Sequence, residues 1–173
     1  MKKFIVYSTL LLTAMACNNT KEGHKSVVIN PVKPSDEVIA FFEEHLPPLY
    51  SGTEAPGGSF FFLDLGKFES ICLMINSVEE FRDIASCPFD NLPAIDFESY
   101  TLIIGQQLVG NPVCYRITEQ NIINEPKKIG LNIAFKNPDP ECWALGISVS
   151  LRYWGIYPKL QIKPINVNVT YKD

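Results

Sequence analysis

Alternation of apolar and polar residues dominates the second half of the chain. Ile129, Leu131, Ile133 and Phe135 alternate with Gly130, Asn132, Ala134 and Lys136, and Ile165, Val167, Val169 and Tyr171 alternate with Asn166, Asn168 and Thr170. Val113, Tyr115 and Ile117 alternate in the same way with Cys114, Arg116 and Thr118. A period of two marks a strand with one buried face, so three half-buried strands are predicted here. Trp143, Leu145, Ile147, Val149, Leu151 and Tyr153 follow the same rule, but Trp154 and Ile156 are apolar in the opposite register. That phase slip predicts a β-bulge or a switch of face at Tyr153-Trp154. Apolar runs at 60–65, 70–75 and 100–107 complete the set of predicted strands.

Two segments carry a helical signature instead. Ser35 stands as an N-cap before Asp36 and Glu37, where the helix dipole favours anions. Val38, Ile39, Phe41, Phe42 and Leu46 then give one apolar face that stops at Pro47-Pro48. Ser77-Val78-Glu79-Glu80 reads as a capping box that opens a shorter helix, with Phe81, Ile84 and Ala85 inward and Cys87-Pro88 at its end. Gly52, Pro56, Gly57 and Gly58 mark a loop.

Short polar connections such as Asn137-Pro138-Asp139-Pro140 favour an antiparallel meander over parallel crossovers of a dozen or more residues each. The expectation is an α+β, mainly antiparallel β domain: a β-sandwich or a strongly twisted meander sheet with one or two short helices, spanning 35–173.

The N-terminus reads differently. Met1-Lys2-Lys3 is a short cationic stretch, and the apolar run from Phe4 to Ala16 is too short for the roughly 20 residues a membrane span needs. Ala14-Met15-Ala16-Cys17 resembles the bacterial lipobox, in which cleavage leaves a diacylated cysteine first in the mature chain. The expected organisation is a signal peptide at 1–16, lipidated Cys17 with a polar tether to residue 34, and one domain beyond. The alternative is an ordinary leader with Cys17 unmodified. Each buried lipid CH₂ contributes about 0.8 kcal/mol, so two or three acyl chains hold a soluble domain at a membrane. Asn18, rather than Asp, after the cysteine implies the outer membrane in the lipoproteins this leader resembles.

Charge narrows the partners. The formal net charge of −4 becomes −6 once Lys2 and Lys3 leave with the leader. Nucleic acid is disfavoured as a partner, because no cluster of Lys and Arg is present to release phosphate counterions. Lys127-Lys128 reads as a polar turn.

Cys72, Cys87, Cys114 and Cys142 remain beyond the anchor, an even number that permits two disulfides in an oxidising compartment and three connectivities. Cys114 and Cys142 share the polar phase of their strand patterns. Cys72 precedes Cys87 by one strand and one short helix, a loop whose closure contributes about 3 kcal/mol in the chain-entropy model. The favoured pairing is therefore 72 with 87 and 114 with 142; four reduced, buried thiols are the alternative. The spacings suit no zinc site, and no metal or cofactor is expected.

The segment INSVEEFRDIAS, then LPAIDFESYTLIIGQ, the alternating strands and YWGIYPKL resemble small lipoproteins of Bacteroidetes-type bacteria. Their domain is similar to the C-terminal family named after PrcB, a protein associated with a secreted protease complex. The resemblance covers roughly residues 70 to 172, and its Gly-Gly-Tyr-like turn is replaced here by Val109-Gly110-Asn111-Pro112. It implies an accessory role beside another protein and carries no catalytic motif.

Nor do the residues themselves assemble one. A hydrolase triad needs a base, and His24 and His45 lie in the tether and at a helix end. Glu43-Glu44 and Glu79-Glu80 diverge by about 100° on their helices. Asp96 with Glu98 could share one side of an extended segment, which leaves a hydrolase using this carboxylate pair as a further alternative, although Asp96 reads better as a turn cap. Tyr153, Trp154 and Tyr157 are the candidate binding aromatics, able to stack on sugar faces or anchor a protein if exposed. The functional expectation is a non-enzymatic binding or accessory module for another protein, with glycan binding through Trp154 and Tyr157 as the alternative.

Overall fold

The computed structural model describes residues 26–46, 49–50, 70–85, 92–110, 116–136 and 148–172. Among them lie eight strands and two helices, in the order β1 (Val27–Ile29), α1 (Asp36–His45), β2 (Leu49–Tyr50), β3 (Ile71–Ile75), α2 (Val78–Ile84), β4 (Tyr100–Gly110), β5 (Arg116–Asn124), β6 (Ile129–Lys136), β7 (Ser148–Pro158) and β8 (Ile165–Lys172). The strands form two four-stranded sheets: β1-β5-β6-β8, the first sheet, and β2-β7-β4-β3, the second. The α+β, mainly antiparallel, sandwich-like architecture expected from the sequence is the one observed.

Both helices begin as their caps dictate. The Ser35 side chain accepts from the Val38 amide, and Ser77 accepts from the Glu80 amide. Glu80 reaches back to the amide of Asn76, one residue before the cap, at 2.6 Å. α1 buries Val38, Phe41 and Phe42, and α2 buries Phe81.

Two apolar cores result. One lies between the helices and the second sheet, where Phe42, Phe81, Leu102, Ile104 and Ile156 meet. The other lies between the sheets, where Ile103, Leu151, Tyr153 and Tyr157 face Ile122, Leu131, Ile133 and Phe135. The layers are thus sheet, sheet, helices. Each fully buried large aliphatic or aromatic side chain contributes about 1.5–3 kcal/mol.

Four sequence-based expectations are corrected. The slip at Tyr153-Trp154 is no bulge: β7 pairs with β4 in unbroken register from Tyr100↔Pro158 to Gly110↔Ser148. The second sheet is covered on both faces, so Tyr153 and Tyr157 enter the inter-sheet core while Trp154 and Ile156 pack under the helices. The irregularity falls instead in β5, between Ile117 and Glu119.

The meander is also replaced. β5 and β6 form a hairpin closed by the Glu125 amide donating to the Lys128 carbonyl, but β8 runs parallel to β6. The chain reaches β7 in the other sheet before returning to the first, with Leu160 buried in the core between them. Short polar links serve sheet-to-sheet arches as well as hairpins.

Third, the expected tether contains structure. Val27–Ile29 pairs antiparallel with Ile122–Asn124 as β1, and the Val32 amide donates to the Ile156 carbonyl at 2.8 Å. The ordered fold therefore begins before residue 35. Fourth, Cys72 carries a free thiol, so the Cys72–Cys87 bridge is not formed in this structure. Residues 60–65, Gly57-Gly58, Cys17, Cys87, Cys114, Cys142 and His24 lie outside the described residues, as do the expectations placed on them.

Candidate functional site

Tyr153, Trp154 and Tyr157 do not form an exposed aromatic patch. Tyr153 and Tyr157 are buried, and Trp154 is half-buried, stacked on Phe42 with ring centroids 4.3 Å apart. Sugar stacking needs an open ring face; Tyr153 and Tyr157 are buried, and Trp154 gives one face to Phe42.

The two tyrosines build a polar seam inside the sandwich. Cys72, Gly105 and Tyr153 occupy one row across β3, β4 and β7. Gly105 has no side chain, and the Tyr153 ring crosses that space: a Cβ there would overlap the Tyr153 hydroxyl and the Ile71 carbonyl. The hydroxyl donates to that carbonyl at 3.3 Å and also meets the Cys72 thiol. Gln120, on the inner face of β5, donates from Nε2 to the Tyr157 hydroxyl at 2.7 Å and so ties the two sheets together.

Burial governs the acidity of all three groups. It pushes the Cys72 thiol up despite the Tyr153 hydrogen bond, which acts the other way. It raises Tyr153, reinforced by Cys72 beside it, and pushes Tyr157 up to about 12 against the opposing hydrogen bond from Gln120. A thiol held protonated is a poor nucleophile, and the seam reads as structural.

The remaining sequence-nominated groups are separate from one another. Asp96 accepts at Oδ1 from the amides of Glu98 and Ser99, the turn-capping role expected of it, and the Ser99 side-chain hydrogen bond is the main cause holding its carboxyl below the usual range. Glu98 only shares that exposed turn. His45 packs on the Phe41 ring and lies 3.9 Å from Glu44, and Glu43 and Glu44 are solvated. Among the described residues no group of three or more His, Cys, Asp or Glu is placed to hold a metal ion, and no helix is long and apolar enough to cross a membrane.

A surface the sequence did not nominate is the outer face of the first sheet. Asn121, Asn132 and Asn168 fall in one row across β5, β6 and β8. Asn168 Nδ2 donates to Asn132 Oδ1, and Asn132 Nδ2 donates to Asn121 Oδ1, both at 3.0 Å. Toward one end of the sheet comes the row Glu119, Ala134, Thr170, and at that end the cationic row Arg116, Lys136, Lys172. Lys172 pairs with Glu119 across the face. Among the described residues three cations and one carboxylate gather here, on a chain whose net charge is −4. Asn132 and Asn168 stand in phase within their own strand patterns, but their alignment with Asn121 depends on the β5 irregularity and the parallel β8.

Comparison with known protein families, curated proteins and solved structures finds no match in any of the three.

Proposed function

We propose that the chain is a lipid-anchored, non-enzymatic binding module of the bacterial cell envelope, held at the outer membrane through Cys17 and recognising another protein through the outer face of its first sheet. The observation that carries the binding reading is the amide row Asn121, Asn132, Asn168 on the same face as the cationic row Arg116, Lys136, Lys172, with the row Glu119, Ala134, Thr170 between them. Such a face presents directional donors and acceptors flanked by positive charge, which suits an acidic, hydrogen-bonding partner. The anchor rests on the leader and on Ala14-Met15-Ala16-Cys17.

Two experiments test this reading. A photoreactive residue at Asn166 should cross-link in cells to one discrete partner, and Lys136→Glu should abolish that cross-link. The same yield from a photoreactive Ile162, which is exposed outside this face, would contradict it. For the anchor, Cys17→Ser should abolish partitioning into a detergent phase, and unchanged partitioning would contradict lipidation.

Glycan binding is retained as a second reading on a different footing, because the amide row offers donors and acceptors that match sugar hydroxyls, whereas Tyr157 is buried and Trp154 is half-buried against Phe42. Calorimetric titration with an acidic polysaccharide, lost in Asn168→Ala and Lys136→Glu, would favour it.

A further inference from the structure

The strand registers place the start of β1 at one end of the first sheet. Val27 pairs with Asn124, the last residue of β5, so the chain enters the fold beside the Glu125–Lys128 turn and at the end where Ile129 and Ile165 begin β6 and β8. The link that carries the chain from β7 to β8 reaches the same corner, because Lys163 Nζ donates to Asn124 Oδ1 and to the Glu125 carbonyl. The cationic row Arg116, Lys136, Lys172 lies at the opposite end of these strands.

We infer that the corner formed by the start of β1, the Glu125–Lys128 turn and Ile162-Lys163 rests on anionic lipid headgroups of the bilayer that holds the anchor, so that the far end, with its cationic row, points away from the membrane. This rests on the proposed lipidation of Cys17. Nine peptide steps separate Cys17 from Ser26, and at about 3.5 Å each they span at most about 32 Å. β6, from Ile129 to Lys136, is about 24 Å long. With the Lys136 end on the lipid, Ser26 would stand at about that height, and the link would use about three-quarters of its full reach. With the Asn124 end down, the link carries no such demand.

The chemistry of the corner agrees with the reach of the link. Ile162 is 78% exposed, more than any other large apolar side chain among the described residues, and Val27 is 55% exposed. Lys127 and Lys128 are exposed on the turn, and Lys163 follows Ile162 directly. An isoleucine flanked by lysines suits the membrane interface, where the apolar chain enters the headgroup layer and the ammonium groups meet lipid phosphates. Glu125 is the one carboxylate at this corner among the described residues, and it pairs with Lys128 at 3.6 Å. The other acids at this end of the molecule, Glu79, Glu80, Asp96 and Glu98, belong to the second sheet and α2, where Lys159 donates to the Asn76 and Phe97 carbonyls. That division of charge tilts the domain so that the first sheet, and not α2, meets the lipid.

The test uses the full lipidated chain in vesicles of brominated phosphatidylcholine and phosphatidylglycerol, with tryptophan emission read against the parent chain, which carries Trp143 and Trp154. Ile162→Trp should add a blue-shifted emission that the bromolipid quenches roughly twofold or more beyond that added by Thr170→Trp, toward the far end of the sheet. Both sites are exposed, and circular dichroism checks that the variants fold. Combining Ile162→Trp with Lys127→Glu and Lys128→Glu, or omitting phosphatidylglycerol, should remove roughly half of that quenching or more. Quenching at 170 as strong as at 162, or quenching at 162 indifferent to both the charge reversals and the lipid charge, would overturn the inference while the anchor stands. A parent chain that fails to float with the vesicles would overturn the anchor reading itself, and the inference with it.

Discussion

β7 and β8 carry nearly the same alternating pattern and meet opposite fates. β7 lies in a sheet covered on both sides, so from Leu151 to Tyr157 only Arg152 and Trp154 are less than fully buried. β8 ends a sheet covered on one side, and its even-numbered positions Asn166, Asn168 and Thr170 are all exposed. An alternating sequence therefore reports how many faces of a strand are covered only when the polar phase is consistently polar. In β7 that phase holds Trp154 and Ile156, and the apparent slip is the signature of a second covered face.

The sharpest way to break this comparison is to empty the helix-covered face of β7. Phe42 stacks on Trp154 and on Phe81, so Phe42→Ala should destabilise the fold by about 3–5 kcal/mol, measured by urea unfolding. A loss below 1 kcal/mol would mean that α1 does not seal that face.

The inter-sheet face is tested at Gly105. A methyl group there meets the Tyr153 hydroxyl and the Ile71 carbonyl, and since the carbonyl belongs to the backbone of β3 it cannot rotate aside. Gly105→Ala should cost about 2–3 kcal/mol. Adding Tyr153→Phe should recover only part of that loss, because the Ile71 carbonyl remains.

A smaller effect is expected from Tyr157→Phe, which removes the acceptor for Gln120 and should cost about 1–2 kcal/mol near neutral pH. The same phenol gives the fold an alkaline limit. Its pKa is raised in the folded chain, to about 12 from an ordinary value near 10, so folding favours the protonated form. That contribution is complete below about pH 10 and is lost as pH rises through about 12. Cys72, also raised by burial, acts in the same direction from a lower starting pH. Thermal melts should therefore fall above roughly pH 9–10, and Tyr157→Phe should flatten the decline between about 10 and 12.

At the small end, Asn168→Ala on the exposed edge should change the stability of the isolated chain by less than about 0.5 kcal/mol while disturbing recognition through the amide row. A large loss would make the row a structural device.

Local rules were the most legible part of the sequence. Ser35 and Ser77 announced both helix starts, Asp96 its turn, and Val167 and Val169 their inward phase. Non-local pairing was hidden. Nothing in the β8 pattern distinguishes a parallel neighbour from an antiparallel one, since both need the same period of two. The seam was equally obscure, because Cys72, Gly105 and Tyr153 are far apart in sequence and meet only through two strand registers. Cys72 therefore read as a disulfide half, and Tyr153 and Tyr157 as binding aromatics if exposed or as core and sheet-edge residues if not, whereas each is anchored inside by a polar atom. The amide row went unnoticed for the same reason: three asparagines become one feature only when β5, β6 and β8 are aligned.

The contrast between a closed aromatic interior and an exposed β8 is tested most directly by hydroxyl-radical footprinting of the folded, dilute chain, with side-chain oxidation read residue by residue by mass spectrometry. Tyr171 should oxidise rapidly, Trp154 at an intermediate rate, and Tyr153 and Tyr157 only when the chain is unfolded. Oxidation of Tyr157 as fast as that of Tyr171 in the folded chain would contradict the account.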